Sequence, residues 1–318
     1  MAPRLNTDSH VGSSGAIVTI AMVMLNNART MNRAIESVRS QTFVNWRLIL
    51  IVSLSADDTL SVANEFARED SRIHLIYRDE VYSWANGALL ALSLSDSEYF
   101  MFLDADDFIT ELYLEHAVQV LENENVAACS GMLILSNDSG ASELPNISSR
   151  KIFKFASSKR RFVRVFGYCL TPECFGAVNL LYALWNRRQL ENTINWTKEC
   201  DSVNFDWSFV LNSLIKAPIH HEKMIQIVRE NSKHYSAAAV KIENWNKISK
   251  MQLHHIFWYL LISRPPIREY LSVAKNEGLF LKTQLYFIVF LRASLSILER
   301  PLQVLRDFLR YHLTKGRI

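Results

Sequence analysis

The sequence predicts an α/β fold, in which a mainly parallel sheet is flanked by helices and followed by a C-terminal α-helical extension. From residue 16 onward, strand-like apolar segments alternate with helix-like segments, which is typical of repeated β-α-β units. Residues 99–103 are all apolar or aromatic, as in a strand covered on both faces. With 318 residues and 49% hydrophobic content, the chain can bury a large core.

The predicted elements follow one another in a regular order. We predict strands at residues 16–25, 46–54, 73–78, 99–104 and 126–135. We predict helices at residues 29–40, 57–70, 83–94, 110–123, 187–193 and 205–216, and a further strand near 221–228. Because strands and helices alternate, we expect helices on both faces of the sheet.

Composition divides the chain into three parts. Residues 1–15 are polar and rich in Ser and Gly, without the apolar core of a signal peptide, and we expect a flexible leader. Residues 16–238 are expected to form the α/β domain, with a long polar loop at 136–149 that lies over the site. Residues 239–318 read as helix after helix, interrupted by prolines and a glycine.

The basic residues are concentrated in the C-terminal extension. The net charge is +3, but residues 264–318 contain ten Lys/Arg and four Asp/Glu. The last helix has a leucine stripe from Leu298 to Leu313, so it can lie on an anionic membrane surface or pack on the α/β domain or a partner subunit. The apolar run 283–291 is too short to span a bilayer. We expect a cytoplasmic protein, peripheral on the inner face of the membrane, with no nucleic-acid partner.

Three acids follow the most apolar predicted strand directly: Asp104, Asp106 and Asp107. Ligands bind at the carboxyl ends of strands in open α/β sheets. In an extended segment Asp104 and Asp106 point the same way, so both can bind one hard cation. Mg²⁺ or Mn²⁺ bound in this way would accept phosphate oxygens as further ligands, which favours a nucleotide-diphosphate ligand. The alternative is a solvated turn or a helix N-terminus, because Asp107 precedes the helix predicted from Thr110.

Several segments, in this order and spacing, resemble the family 2 glycosyltransferases. They are residues 18–26, the helix 33–43 that ends in Gln41-Thr42-Phe43, the strand 46–51, the acidic segment 99–107 and the aromatic/Arg segment 181–188. The resemblance covers residues 16–236 and implies a GT-A (Rossmann-like) fold. It also implies an inverting transferase that moves a sugar from a nucleotide-diphosphate sugar to a hydroxyl of a glycan or lipid-linked acceptor, in surface polysaccharide or glycoconjugate synthesis.

The resemblance also implies roles for individual residues. Asn26 and Asp104 would contact the donor, while Asp106, supported by Asp107, would bind Mn²⁺ or Mg²⁺. Asp206, at the start of a helix, would be the base that deprotonates the acceptor hydroxyl. Local sequence alone is equally consistent with a helix N-cap at Asp206. Near the end of the similar region, Arg229 would contact the diphosphate. His234 would contact the diphosphate or the metal. We expect Arg229 among the donor-binding residues and His234 among the metal ligands.

The positions that would hold the nucleobase depart from the family pattern. Ser53 stands where the family commonly has an acid, and Leu25 stands near the place of an aromatic residue. Ser53 remains the predicted donor contact there, but a hydroxyl cannot supply the charge-assisted bond of a carboxylate. The sequence therefore does not predict which nucleobase the donor carries, and the family's usual preference for uridine is not assumed. The altered positions favour a second hypothesis, a non-catalytic GT-A-like scaffold, whereas the retained acids favour the enzyme.

Overall fold

The computed structural model describes residues 15–136, 153–170, 177–190 and 205–230, together with positions 273, 278–279, 281–287 and 290. Eight strands are present in these parts of the chain: β1 (Val18–Met24), β2 (Trp46–Val52), β3 (Ile73–Tyr77), β4 (Tyr99–Phe102), β5 (Asp107–Ile109), β6 (Ala128–Ser136), β7 (Leu184–Asn186) and β8 (Ile219–Glu230). The same parts of the chain contain the α-helices α1 (Met31–Arg39), α2 (Thr59–Glu69), α3 (Trp84–Leu94), α4 (Tyr113–Asn123), α5 (Arg161–Leu170) and α6 (Phe205–Lys216).

The strands form one mixed sheet in the order β3-β2-β1-β4-β7-β6-β8-β5. The pairs β1–β2, β2–β3, β1–β4 and β6–β8 are parallel, while β4–β7, β6–β7 and β5–β8 are antiparallel. The predicted α/β class with a mainly parallel sheet is therefore confirmed. Strands β1 and β4 are adjacent and parallel. Their carboxyl ends, and the loops that follow them, therefore lie side by side at one edge of the sheet.

The core lies on both faces of the central strands. Every residue of β2 and β4 is buried, as the unbroken apolar runs predicted. Helix α3 lies very close to β1, because a Cβ added at Gly87 would lie 2.5 Å from a methyl carbon of Val23. Glycine thus permits the close approach of α3, which begins beside the carboxyl ends of the strands.

The segment after β4 differs from the prediction. The strand ends at Phe102 rather than Asp104, and the acids lie in a turn in which the Asp107 N–H donates to the Asp104 carbonyl at 3.1 Å. Asp107 then begins β5, which pairs with β8. Helix α4 consequently begins at Tyr113, three residues later than predicted. This excludes the helix N-terminal interpretation of Asp107, and the carboxylates converge because of the turn rather than an extended backbone.

Gln41 fixes the segment that follows the acidic turn. Its side-chain amide donates to the carbonyls of Thr110 (2.9 Å) and Ser37 (2.8 Å), and its amide oxygen accepts from the N–H of Leu114 (3.0 Å). Gln41 is buried, so each of these bonds replaces a bond to water. The Gln-Thr-aromatic end of α1 is thus a structural connection that holds the segment between β5 and α4.

Several predictions lie outside the described residues. They are the leader at 1–14, the loop from 137 to 149, His234 and the leucine stripe of the last helix. The predicted helix at 187–193 is helical over 187–190, where the description stops. In the C-terminal extension, positions 281–287 are helical, with Leu281 and Leu285 buried. The proposed domain boundaries remain predictions.

Candidate active site

The acidic turn brings three carboxylates together at the edge of the sheet. One oxygen each from Asp104, Asp106 and Asp107 lies within 4.8 Å of the others. Asp104 and Asp106 are half-buried, and Asp107 is buried. Three carboxylates at this distance repel one another unless a cation lies among them.

Three side chains hold Asp104 in a fixed orientation. The Trp84 indole N–H donates to Oδ1 at 3.1 Å. The Tyr182 hydroxyl and the Arg229 guanidinium both donate to Oδ2, at 2.5 Å and 2.9 Å. Both oxygens of Asp104 are therefore engaged by protein donors, which leaves the metal-binding role mainly to the neighbouring carboxylates.

Arg229 is the cation that the chain itself supplies to this cluster. Pairing of β5 with β8 places Arg229 opposite Asp107. Its guanidinium donates from Nε to Asp107 at 3.1 Å, from Nη2 to Asp104, and from Nη1 to Asn179 at 2.8 Å, and it lies 5.0 Å from the centre of the Tyr182 ring. Arg229 thus offsets part of the negative charge of Asp104 and Asp107.

The strongest indication that a metal cation binds here, in addition to the Arg229 guanidinium, comes from the surroundings of Asp107. Its Oδ1 atom is buried and has no hydrogen-bond partner among the residues that the structure describes, while Oδ2 accepts from Arg229. Burial, reinforced by the charges of Asp104 and Asp106, raises the pKa of Asp107 to about 7, although Arg229 acts in the opposite direction. An unsatisfied buried carboxylate oxygen among oxygen-only ligands suits a hard divalent cation. The residues therefore fit Mn²⁺ or Mg²⁺.

The raised pKa of Asp107 predicts a pH dependence of stability. Between about pH 4 and pH 7 the folded chain retains a proton on Asp107 that the unfolded chain has lost, so the free energy of unfolding falls as pH rises through this range. In the metal-free protein the decrease should reach as much as about 4 kcal/mol relative to Asp107→Asn. Urea denaturation of both proteins across the range measures it. Parallel curves for the two proteins would contradict the prediction.

Asp206 lies at the start of α6, next to the residue that connects this helix to the acidic turn. The Phe205 ring packs at 6.0 Å from the ring of Trp84, the same side chain that donates to Asp104. The Asp206 Oδ1 accepts from the N–H of Trp207 at 2.9 Å. Since Asp206 is the second residue of the helix, it is not its N-cap. The role of Asp206 as a base remains a prediction. Its neighbour Phe205 connects the start of α6 to Asp104 through Trp84.

Asn26 connects two loops at the same edge. Its φ angle is 57°, a left-handed conformation that Asn adopts more readily than most residues. Its side-chain oxygen accepts from the N–H of Ala56 at 2.7 Å, and its own N–H donates to the Ser55 hydroxyl at 3.1 Å. Asn26 is exposed, and its predicted contact with the donor remains a prediction.

Ser53 does not fit its predicted role. Its side chain is fully buried, and its hydroxyl accepts from the N–H of Tyr82 at 3.3 Å. Its backbone N–H donates to Met24. A side chain without exposed surface does not contact a nucleobase, so the structure does not support Ser53 as a donor contact. The residue instead joins the end of β2 to the segment before α3.

Apolar side chains form the rim where the base was expected. Leu25, Leu54 and Val81 follow β1, β2 and β3 and are 40%, 50% and 65% exposed. Nearby, the Arg78 guanidinium lies 5.7 Å from the centre of the Tyr82 ring. Residues of this kind can pack against a base or stack on it, but none of them is an acid.

Three residues of the site had no assigned role in the sequence. Trp84 and Tyr182 lie in segments that match the family only in outline, and Asn179 lies in a 3₁₀ helix, Ala177–Tyr182. All three side chains form hydrogen bonds with an acid or with Arg229, and in each case the two residues are distant in sequence. The sequence offered one signal for these residues, which was the aromatic Trp84 at the start of a predicted helix that contains a glycine.

We expect Trp84→Phe to weaken donor binding about tenfold, because it removes a hydrogen bond to a charged group while retaining the aromatic packing. The turnover number kcat should change little, since Trp84 acts through Asp104. Trp185→Phe is the matched control: its indole donates to the Leu181 carbonyl, away from the acids. Calorimetric titration with the donor distinguishes the two variants. Equal affinities for the wild type and Trp84→Phe would contradict this role.

Comparison with known proteins gives a family. The sequence model of Glycosyl transferase family 2 matches residues 19–175. These residues place the chain in glycosyltransferase family 2. EpsE of Bacillus subtilis (strain 168) is 25% identical over 82% of this chain and 92% of its own length. WfgD of Escherichia coli, a UDP-Glc:α-D-GlcNAc-diphosphoundecaprenol β-1,3-glucosyltransferase, is 31% identical over 39% of this chain and 48% of its own length.

Two solved structures share the fold. TarS 1–349 of S. aureus matches with a TM-score of 0.56 at 12% identity, covering 89% of this chain and 91% of the TarS chain. The mannosyltransferase PcManGT from Pyrobaculum calidifontis, in complex with GDP-Man and Mn²⁺, matches with a TM-score of 0.52 at 14% identity, covering 89% of this chain and 87% of its own. The predicted GT-A fold and the predicted family are confirmed. The protein is a glycosyltransferase.

Among the described residues of this glycosyltransferase, none of the helices combines the length and apolar character needed to cross a membrane.

Proposed function

We propose that this glycosyltransferase is metal-dependent and inverting, and that it moves a sugar from a nucleotide-diphosphate sugar to a hydroxyl of a glycan or lipid-linked acceptor. The observation that carries the proposal is the buried Asp107 oxygen, which lies in a cluster of three carboxylates and has no partner among the described residues. A scaffold that only binds a partner has no need to bury unpaired negative charge at the edge of its sheet. The retained cluster therefore favours an enzyme.

Asp106 and Asp107 would hold the cation, with Asp104 held by its three donors to contact the donor sugar or ribose. When bound, the divalent cation would neutralise charge on the diphosphate leaving group. Mn²⁺ is supported by the structural neighbour with GDP-Man and Mn²⁺, and oxygen-only ligands are equally compatible with Mg²⁺.

Arg229 would stabilise the leaving diphosphate from the protein side. Its guanidinium already reaches two of the acids, so it lies where phosphate oxygens would approach a cation bound by them. A planar guanidinium can donate two parallel bonds to a phosphate. Aromatic contact with Tyr182 keeps its plane oriented. Arg229 would thus bind the leaving group more tightly as negative charge develops on it.

Asp206 would accept the proton of the acceptor hydroxyl as its oxygen attacks the anomeric carbon. Attack from the face opposite the diphosphate inverts the configuration at that carbon. The contact from Phe205 to Trp84 and from Trp84 to Asp104 holds the start of α6 beside the donor site, as a base on the acceptor side requires.

The acceptor is proposed from relatives. WfgD and WfaP of Escherichia coli are named for transfer to a sugar on diphosphoundecaprenol, and TuaG of Bacillus subtilis (strain 168) for teichuronic acid biosynthesis. These names support a lipid-linked or polysaccharide acceptor and a role in surface polysaccharide synthesis. The base of the donor is left open by the apolar rim, because structural neighbours bind either UDP or GDP-Man.

The test uses the full chain with Mn²⁺ or Mg²⁺ and a panel of uridine, guanosine, cytidine and thymidine diphosphate sugars. Calorimetry measures binding of each donor, and nucleotide release measures turnover with and without chelator. Binding of one donor that requires the cation supports the proposal and identifies the base. If no donor binds while the protein remains folded, the scaffold hypothesis replaces it.

A further inference from the structure

The start of α5 carries a compact basic and apolar surface that the donor and acceptor sites do not use. We call Lys159, Arg160, Arg161, Phe162 and Val163 the α5 patch. All five consecutive residues are exposed, and the two apolar members are 47% and 39% exposed. The sequence alone allowed two interpretations of the basic segment 150–164, phosphate contacts or a solvated helix face.

The charge of the patch is not balanced nearby. Residues 153–170 contain no Asp or Glu. Within the described parts of the chain, Lys159, Arg160 and Arg161 take part in no ion pair. An ordinary solvated helix face mixes both signs of charge, and it does not place a large aromatic side chain among three cations.

The apolar part of the patch is held in place. The ring of Phe162 stacks on that of Phe166, with centres 5.2 Å apart and planes 25° apart, and Phe166 packs against the core. An exposed aromatic ring supported in this way is a rigid protrusion rather than a mobile side chain.

The backbone under the patch is also fixed. The buried Arg164 donates to the carbonyls of Leu214 at 2.7 Å, Ser158 at 2.8 Å and Lys159 at 3.0 Å. These bonds tie the turn before α5 to the end of α6. The α5 patch is consequently a rigid part of the domain surface.

We propose that the α5 patch docks this chain on an anionic lipid bilayer. Lys and Arg side chains are attracted to the negative surface potential of anionic lipids, and an adjacent exposed aromatic ring can enter the boundary between head groups and acyl chains. The two kinds of side chain lie side by side here, so one surface supplies both contributions. This site differs from the C-terminal leucine stripe, which was the surface that the sequence alone indicated for membrane contact.

Docking through α5 would place the acceptor side near the lipid surface. At the far end of α5, Tyr168 packs 5.7 Å from Trp207 and its hydroxyl donates to the Trp207 carbonyl at 3.2 Å. Trp207 follows Asp206, the proposed base. This consequence rests on the proposed function, whereas the docking itself does not.

The test is sedimentation of the full chain with vesicles of phosphatidylcholine alone or phosphatidylcholine mixed with phosphatidylglycerol. We expect binding to the anionic vesicles only, and a decrease of about 100-fold in the partition coefficient when Lys159, Arg160 and Arg161 are all changed to Gln. The matched control changes Arg68, Arg188 and Lys223 to Gln, which removes the same charge from three exposed positions elsewhere. The control should bind almost as the wild type does.

A second variant separates the apolar contribution from charge. Phe162→Ser should reduce the partition coefficient several-fold at high salt, where the electrostatic attraction is screened. The proposal is overturned if the wild type does not bind anionic vesicles, if the α5 triple variant binds as the wild type does, or if both triple variants lose binding equally. Donor binding by the α5 variants should be unchanged, so failure of docking and failure of the proposed function give different results.

Discussion

Asp106→Ala is expected to lower kcat/KM by about 1,000-fold, because it removes a carboxylate from the proposed metal site and with it several kcal/mol of charge stabilisation in the transition state. Asp104 is not expected to replace it, since bonds from Trp84, Tyr182 and Arg229 fix the orientation of its carboxylate. Steady-state kinetics over a range of Mn²⁺ concentrations measure the loss. Saturating Mn²⁺ should not restore the wild-type rate.

The same substitution should leave the metal-free fold intact. The charge of Asp106 is one cause of the raised pKa of Asp107, so its removal relieves repulsion and lowers that pKa. In the metal-free Asp106→Ala protein the pKa of Asp107 should therefore lie below its value in the wild type. Glu122→Ala, at an exposed position of α4, is the control and should retain full activity. An active Asp106→Ala enzyme would show that the acidic cluster does not bind the catalytic cation.

Asp206→Asn is expected to lower kcat by about 100- to 10,000-fold, the usual contribution of a general base, with donor affinity unchanged. Asparagine keeps a side-chain oxygen that can accept from the N–H of Trp207, so the start of α6 should remain formed. Donor binding by calorimetry and turnover at saturating donor separate the two effects.

Glu115→Gln is the matched control for Asp206, because Glu115 is an acid in the first turn of α4 whose carboxylate accepts from the Thr42 hydroxyl at 2.6 Å. This control should retain wild-type kcat. If Asp206→Asn keeps its activity, the side chain serves only the start of the helix, and the base must be another residue.

Local sequence was sufficient for most elements of the fold. The apolar run before Asp104 predicted a buried strand, and β4 lies inside the sheet as the last strand of the parallel run β3-β2-β1-β4, with the antiparallel β7 on its other side. The acids at the end of that run predicted a cluster of carboxylates, and the three carboxylates do lie together in the structure. In contrast, β5 was missed. A three-residue strand has too little local pattern to be recognised, and it forms only because β8 returns from more than 100 residues later to pair with it.

The sequence by itself determined the α/β class, the family and the position of the acidic cluster, because each depends on runs of neighbouring residues. Only the tertiary structure decided how that cluster is balanced. Arg229 reaches Asp104 and Asp107 through the pairing of β8 with β5, and Tyr182 and Trp84 converge on Asp104 from separate segments. The tertiary structure also buries Ser53, which the sequence had predicted to contact the donor. Contacts between residues distant in sequence leave no local pattern, since they arise only when the sheet and its helices pack together.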